Sequence, residues 1–199
     1  MNGPGTVLLV RHAWAGERGA VPDDRTRPLD ERGRRQSAGL HARLDAGLQA
    51  HGHGRLGDQR GAPVLVSSPL VRCTATLAPM ASALGVEVAT DDRLAELEVP
   101  LVSRDGWPDA AYLGARARAA LEQAAARTPA GGALVLCSHG ELLPALVGVL
   151  AGRSELTTPV AIDLTAKRLP KGGAWLLGAG GGDGTPTAPW TIVELAPPG

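Results

Sequence analysis

Short apolar runs alternate with longer segments of helical periodicity along the chain. Thr6 to Val10, Pro63 to Ser67 and Ala133 to Cys137 are rich in Val and Leu, as buried strands are. Weaker strand patterns follow at 86–89, 160–165, 174–178 and 190–195.

The segments between these strands predict four helices. Asp30 is a favourable N-cap, and Leu40, Leu44 and Leu48 then recur on one helical face. The helices are predicted over about 31–48, from Pro69 to Gly85, from Asp109 to about Arg127, and from Glu141 to Leu150. The Gly-rich segment 51–62 predicts a surface loop, and 13–28 and 90–108 show no clear period.

Strands that alternate with helices of ten or more residues are typical of right-handed βαβ units. We therefore expect an α/β fold, a three-layer α/β/α sandwich around a mostly parallel sheet. The 199 residues suit one domain spanning 1–199, and no internal repeat divides them. Folds of this class carry their chemistry at the carboxyl ends of the strands.

Composition narrows the function classes. Lys+Arg and Asp+Glu are both 20, so the net charge is zero and favours neither a nucleic acid polymer nor a membrane surface as partner. No apolar run reaches membrane-span length, and the beginning MNGPGT does not resemble a signal peptide. Cys73 and Cys137 form no CxxC pair, so we expect neither disulfide nor zinc site, and a cytoplasmic location.

Three predicted strands end directly in chemically active side chains. Arg11 and His12 follow the first strand, Arg72 comes shortly after the second, and His139 follows the run ending at Cys137. If these strands are parallel neighbours, two histidines and two arginines share one edge of the sheet.

This combination favours phosphoryl chemistry over metal binding. Arginines would repel a cation, and the carboxylates or thiolates of a typical metal site are not at hand. Guanidinium groups instead suit the oxygens of a phosphoryl group in transfer. A neutral histidine can carry the phosphoryl group, provided its other ring nitrogen keeps its proton through a hydrogen bond.

The residues also carry a family resemblance. LLVRHAWAG, SSPLVRCTATLAPMASALG and LVLCSHGELLPALVGVL resemble, in order and spacing, three signature segments of the histidine phosphatase superfamily, also called phosphoglycerate mutase-like. The SixA-type phosphohistidine phosphatase branch is most similar, since Asp24 to Gly33 matches its RPLT-x-x-G segment. Lys171 to Trp175 resembles the phosphatase-like half of actinobacterial Nudix fusions, although the chain has no Nudix box.

The resemblance implies a role for each matching residue. His12 is the implied nucleophile, and Arg11, Arg72 and His139 are implied to clamp the phosphoryl oxygens, with Arg27 as a further binding residue. Glu96 in the L-x-E pattern of 94–98 is the implied general acid, with Glu98 as a substitute and a solvated loop carboxylate as the alternative. Ala13 stands where the family usually has Gly, and Cys73 where Ala is common.

We therefore expect a metal-independent phosphatase without a cofactor. Its substrate would be a phosphate monoester, a phosphohistidine or a phosphoanhydride, carried by a small molecule or a phosphoprotein. The alternatives are a catalytically weak phosphate-binding module and, as a less favoured reading, a phosphomutase. His41, His51 and His53 are interpreted as surface residues rather than metal ligands.

Overall fold

A single mixed sheet forms the centre of the molecule. The computed structural model describes residues 4–97, 107–153, 156–157, 169–179 and 190–195. Within these ranges the sheet has seven strands: β1 (Thr6–Arg11), β2 (Val64–Ser67), β3 (Val88–Thr90), β4 (Ala133–Ser138), β5 (Leu156–Thr157), β6 (Ala174–Ala179) and β7 (Trp190–Leu195). Their order is β3-β2-β4-β1-β6-β7-β5, with β3 to β1 all parallel. β6 is antiparallel to both β1 and β7, and β5 runs parallel to β7.

Helices cover both faces of the sheet. They are α1 (Glu31–Ala38), α2 (Leu40–Ala50), α3 (Val71–Leu84), α4 (Trp107–Arg127) and α5 (Leu142–Gly152). Val7 and Leu9 of β1 belong to the core shared with α4 and α5, whereas Leu8 and Val10 belong to the core shared with α2 and α3. Because successive side chains of a strand point to opposite faces, β1 is buried on both sides. The predicted three-layer α/β/α fold is confirmed.

Two details differ from the predicted elements. The helix expected over 31–48 is two helices, because Gly39 ends α1 and α2 begins at Leu40. The loop expected over 51–62 lies only partly at the surface, since a 3-10 turn at Leu56–Asp58 places the Leu56 side chain fully in the core. The strand predicted at 160–165 lies outside the described residues.

The register of the parallel strands aligns their carboxyl ends. Arg11 of β1 pairs with Ser138 of β4, and Cys137 of β4 pairs with Ser67 of β2. The residues that follow these three strands therefore leave the sheet at the same edge. Strand order places β4 between β2 and β1, so the predicted site residues come from three adjacent strands.

Gly33 in the first turn of α1 makes a close approach to the loop that follows β1. The Asp30 carboxylate caps the helix by accepting a hydrogen bond from the Gly33 amide at 2.7 Å. The Asp30 amide in turn donates to the Trp14 carbonyl at 3.2 Å. A Cβ at Gly33 would lie 1.7 Å from that carbonyl oxygen, so only glycine lets the helix start pack against Trp14.

We expect Gly33→Ala to destabilise the fold by roughly 2–3 kcal/mol, the order typical of forced overpacking. The matched control is Gly39→Ala, where the φ angle is −85° and the nearest atom to a new Cβ is 3.6 Å away. That control should be neutral or stabilising by up to about 1 kcal/mol. Urea unfolding of the three proteins measures both values, and equal stabilities for the two variants would contradict the close approach.

Candidate active site

His12 is held immediately after β1 by two backbone interactions. Its amide donates to the Ser138 carbonyl at 3.0 Å, which continues the pairing with β4. Its Nδ1 lies 2.7 Å from the Ala13 carbonyl oxygen. Because a carbonyl can only accept, Nδ1 carries the proton. The lone pair of a neutral His12 ring is therefore on Nε2, and among the described residues this atom makes no hydrogen bond.

The surroundings of His12 keep its ring neutral. The side chain is buried, and burial together with the nearby His139, Arg72 and Arg11 lowers the pKa of His12 to about 2. The hydrogen bond to Ala13 works in the opposite direction without reversing this effect. A neutral imidazole with a fixed tautomer is the form that acts as a nucleophile.

Thr76 positions the residue that fixes this tautomer. Its hydroxyl accepts from the Ala13 amide at 2.9 Å and donates to the Arg72 carbonyl at 2.7 Å. Thr76 lies one turn after Arg72 on α3, so the helix that supplies Arg72 also holds the loop beyond His12. Sequence reasoning assigned no role to Thr76, although it lies in the second signature segment.

Arg72 is a fully buried cation surrounded by oxygen atoms. Its Nη1 donates to the Asp24 carbonyl at 2.8 Å and lies 3.3 Å from the Asp24 carboxylate. Its Nη2 forms an ion pair with Glu96. Its Nε has no hydrogen-bond partner among the described residues. Buried charges are tolerated when they are paired, so these two carboxylates hold the guanidinium in place.

His139 lies beside His12 and is almost completely buried. The two ring centroids are 5.3 Å apart. The Nε2 atom of His139 is 2.9 Å from the Ser68 hydroxyl and 3.5 Å from the Cys73 sulfur. Its Nδ1 lies 3.7 Å from a Glu96 carboxylate oxygen and has no hydrogen-bond partner within the part of the chain described. Ser68, which sequence reasoning left without a role, thus orients this ring.

Arg11 completes the cluster at the end of β1. Its Nη1 donates to the Leu169 carbonyl at 2.7 Å. The guanidinium lies over Gly140, where a Cβ would come within 2.6 Å of the Arg11 Cζ atom. The glycine after His139 therefore leaves the space that Arg11 occupies.

Arg27 is linked to Arg72 through the carboxylate of Asp24. Its Nε donates to Asp24 at 2.7 Å, and its Nη1 donates to the Gly16 carbonyl at 2.8 Å. The Asp24 carboxylate therefore bridges Arg27 and Arg72, and the hydrogen bond from Arg27 lowers the pKa of Asp24. Asp24 lies inside the segment matched to the family, but its bridging position follows only from the folded loop.

Glu96 contacts three of the basic side chains. Besides Arg72 and His139, it pairs with the exposed Arg18 at 3.2 Å. The structure thus brings Glu96 to His139 and Arg72 rather than leaving it in a solvated loop. Glu98, the predicted substitute, lies outside the described residues.

The histidines outside this cluster form no site. His51 is exposed and His41 pairs with Asp45 at 3.5 Å. His53, expected to be exposed, is half-buried and packs against Gly178, because β6 passes directly beneath its ring. Among the described residues, no group of three or more His, Cys, Asp or Glu side chains is arranged to hold a metal ion.

Comparison with protein families agrees with this geometry. Residues 7–102, which include His12, Arg72 and Glu96, match the model of the histidine phosphatase superfamily, branch 1. The matched residues, just under half of the chain, resemble this superfamily.

Individual relatives extend the match. The chain is 34% identical over 179 residues to the 8-oxo-(d)GTP phosphatase of Mycolicibacterium smegmatis. The aligned residues cover 89% of this chain and 45% of that protein. The chain thus spans about half the length of this curated relative.

Solved structures of the superfamily share the fold. A mycobacterial glucosyl-3-phosphoglycerate phosphatase matches with a TM-score of 0.69 at 18% identity, covering 97% of this chain and 99% of that chain. The Agrobacterium tumefaciens protein described as a phosphohistidine phosphatase SixA matches with a TM-score of 0.60 at 20% identity, covering 98% and 99%. None of the helices described here is both long and apolar enough to cross a membrane.

The lowered pKa of His12 predicts a loss of stability in acid. In the unfolded chain His12 takes up a proton below about pH 6.5, whereas the folded protein keeps it neutral. The unfolded state then binds more protons, so the free energy of unfolding falls as pH decreases. Between pH 7 and pH 5 this difference amounts to about 2 kcal/mol.

Urea unfolding of wild type and His12→Asn at both pH values measures this contribution. The variant should lose less stability than wild type over the interval, because Asn does not titrate. Identical losses in the two proteins would show that His12 is not held neutral by the fold.

Proposed function

We propose that this chain is a metal-independent phosphatase that hydrolyses its substrate through a covalent phosphohistidine on His12. The observation that carries the proposal is the 2.7 Å contact between His12 Nδ1 and the Ala13 carbonyl oxygen. It fixes the proton on Nδ1 and leaves the Nε2 lone pair for attack on phosphorus. No metal is invoked, because arginine side chains supply the positive charge.

In the first step, Nε2 of His12 forms a bond to phosphorus and the bond from phosphorus to the leaving oxygen breaks. The charge on the transferred group spreads over its three equatorial oxygens. Arg11, Arg72 and His139 surround the nucleophile and would donate hydrogen bonds to these oxygens. Donors held in place before the reaction need no reorganisation during it, which lowers the barrier.

In the proposed reaction, Glu96 supplies the proton that the leaving group needs. A phosphoryl group that engages Arg72 competes with Glu96 for the same guanidinium. Released and protonated, Glu96 donates its proton to the leaving oxygen, which takes the bonding electron pair. In the second step the Glu96 carboxylate accepts a proton from water while the water oxygen attacks phosphorus. The bond between nitrogen and phosphorus then breaks and inorganic phosphate leaves.

The substrate is a phosphate monoester, a phosphohistidine or a phosphoanhydride, carried by a small molecule or a phosphoprotein. Relatives named for a nucleoside triphosphate, for glucosyl-3-phosphoglycerate and for phosphohistidine cover all three classes.

We further propose one domain over 1–199, since β1 and β7 belong to one sheet. A cytoplasmic location is proposed on the two free cysteines.

The nucleophile is tested with His12→Ala and an aryl phosphate. We expect kcat/KM to fall at least about 10³-fold, because the covalent route is lost. The exposed His51 provides the control, and His51→Ala should keep wild-type turnover. Rapid quenching of the wild type should trap phosphate that is labile in acid and stable in base, and His12→Ala should trap none. Binding of vanadate by a wild type without turnover would instead indicate a phosphate-binding module.

The role of Glu96 is tested with Glu96→Gln on two substrates. An alkyl phosphate, whose leaving group needs a proton, should lose roughly 10²-fold or more in kcat. An aryl phosphate with an acidic phenol should lose much less. Glu31→Gln on the exposed face of α1 serves as a control with the same change of charge. Equal losses on the two substrates would show that Glu96 acts only as the partner of Arg72.

A further inference from the structure

The turn before β6 is attached directly to the end of β1. The Gly172 amide is within hydrogen-bonding distance of the Arg11 and His12 carbonyls, at 3.2 and 3.1 Å. The Arg11 amide donates to the Gly173 carbonyl at 3.0 Å. Lys171 directly precedes Gly172, so its backbone is held next to that of His12. None of the proposed catalytic steps uses it.

The Lys171 side chain lies among groups of the same charge. Its Nζ is 4.0 Å from the centre of the Trp14 ring, on the loop that follows His12. Burial, followed by the nearby Arg11 and Arg27, lowers the pKa of Lys171. The Asp30 carboxylate has the opposite effect on this pKa, but its oxygen caps α1 at Gly33.

Lys171 has no ion-pair partner within the described part of the chain. By contrast, Arg72 is paired with Glu96, and Arg27 is paired with Asp24. An ammonium group held near guanidiniums without an ion-pair partner is unfavourable by itself, because like charges repel. The same arrangement becomes favourable when an anion of more than one phosphate occupies the site.

A single phosphoryl group does not account for this extra charge. Its oxygens are served by Arg11, Arg72 and His139, the residues nearest His12. Lys171 lies on the Trp14 side of the site, close to Arg11 and Arg27. A second phosphate that extends from the first toward Trp14 would meet this positive charge.

We propose that Lys171 is a specificity-determining residue that binds a second phosphate of the substrate, so that the site prefers phosphoanhydrides such as nucleoside diphosphates over monoesters. This inference rests on the proposed function, since it assigns the substrate class of the same site. Trp14 holds the Lys171 ammonium group beside the site through a cation–π contact.

The test compares the binding of inorganic phosphate and of pyrophosphate by titration calorimetry. Wild type should bind pyrophosphate more tightly than phosphate. In Lys171→Met the ratio of the two affinities should fall roughly ten-fold, the effect of one lost charged hydrogen bond. Lys171→Arg, which keeps the charge and a donor, should retain most of the ratio.

Arg32 provides the matched control, because its guanidinium also lies over the Trp14 ring, at 4.8 Å. Arg32→Met should leave the ratio unchanged. An unchanged ratio in Lys171→Met, or an equal loss in Arg32→Met, would overturn the assignment of Lys171. The binding measurement needs no turnover. A wild type that fails to hydrolyse aryl phosphate would therefore contradict the proposed function, while the affinity ratio would still test the role of Lys171.

Discussion

Parallel pairing of β1 and β2 with β4, which lies between them, is the constraint on which the site depends. Register places Arg11 beside Ser138 and Ser67 beside Cys137, so the chain leaves all three strands at one level. Backbone hydrogen bonds then continue beyond the strands, from the His12 amide to Ser138 and from the Ser68 amide to Cys137. His12 and His139 are therefore positioned by the sheet itself, whose strand β1 is buried on both faces.

Electrostatic pairing joins the loops of the site to this rigid edge. Arg72 at the start of α3 holds Asp24 of one loop and Glu96 of another, and neither loop has extended regular structure. Removing this buried cation would take from Asp24 and Glu96 the one basic partner that they share, which is unfavourable. In the proposed reaction the same guanidinium binds the phosphoryl oxygens, so one group both organises the loops and recognises the substrate.

Local charge and total charge give different information about this protein. The chain is neutral as a whole, which disfavours attraction to a polyanion such as nucleic acid. Arg11, Arg72, Arg27 and Lys171 nevertheless come together around His12, and Asp24 and Glu96 offset only part of their charge. A small anion is therefore the ligand that this pocket favours. On our proposal, the position of Lys171 beside Trp14 favours an anion with a second phosphate.

The sequence by itself determined the layers, the buried strands and the residues at their ends, because apolar runs, caps and helix-ending glycines are local signals. It also indicated His12, Arg11, Arg72 and His139. Only the tertiary structure decided that Asp24 bridges two arginines, that Thr76 and Ser68 orient the histidines, and that Lys171 approaches Trp14. Apart from the pair of Asp24 and Arg27, these contacts join residues far apart in the chain, with no fixed spacing to reveal them. The break at Gly39 and the burial of Leu56 were likewise decided by packing against other elements, which local periodicity does not record.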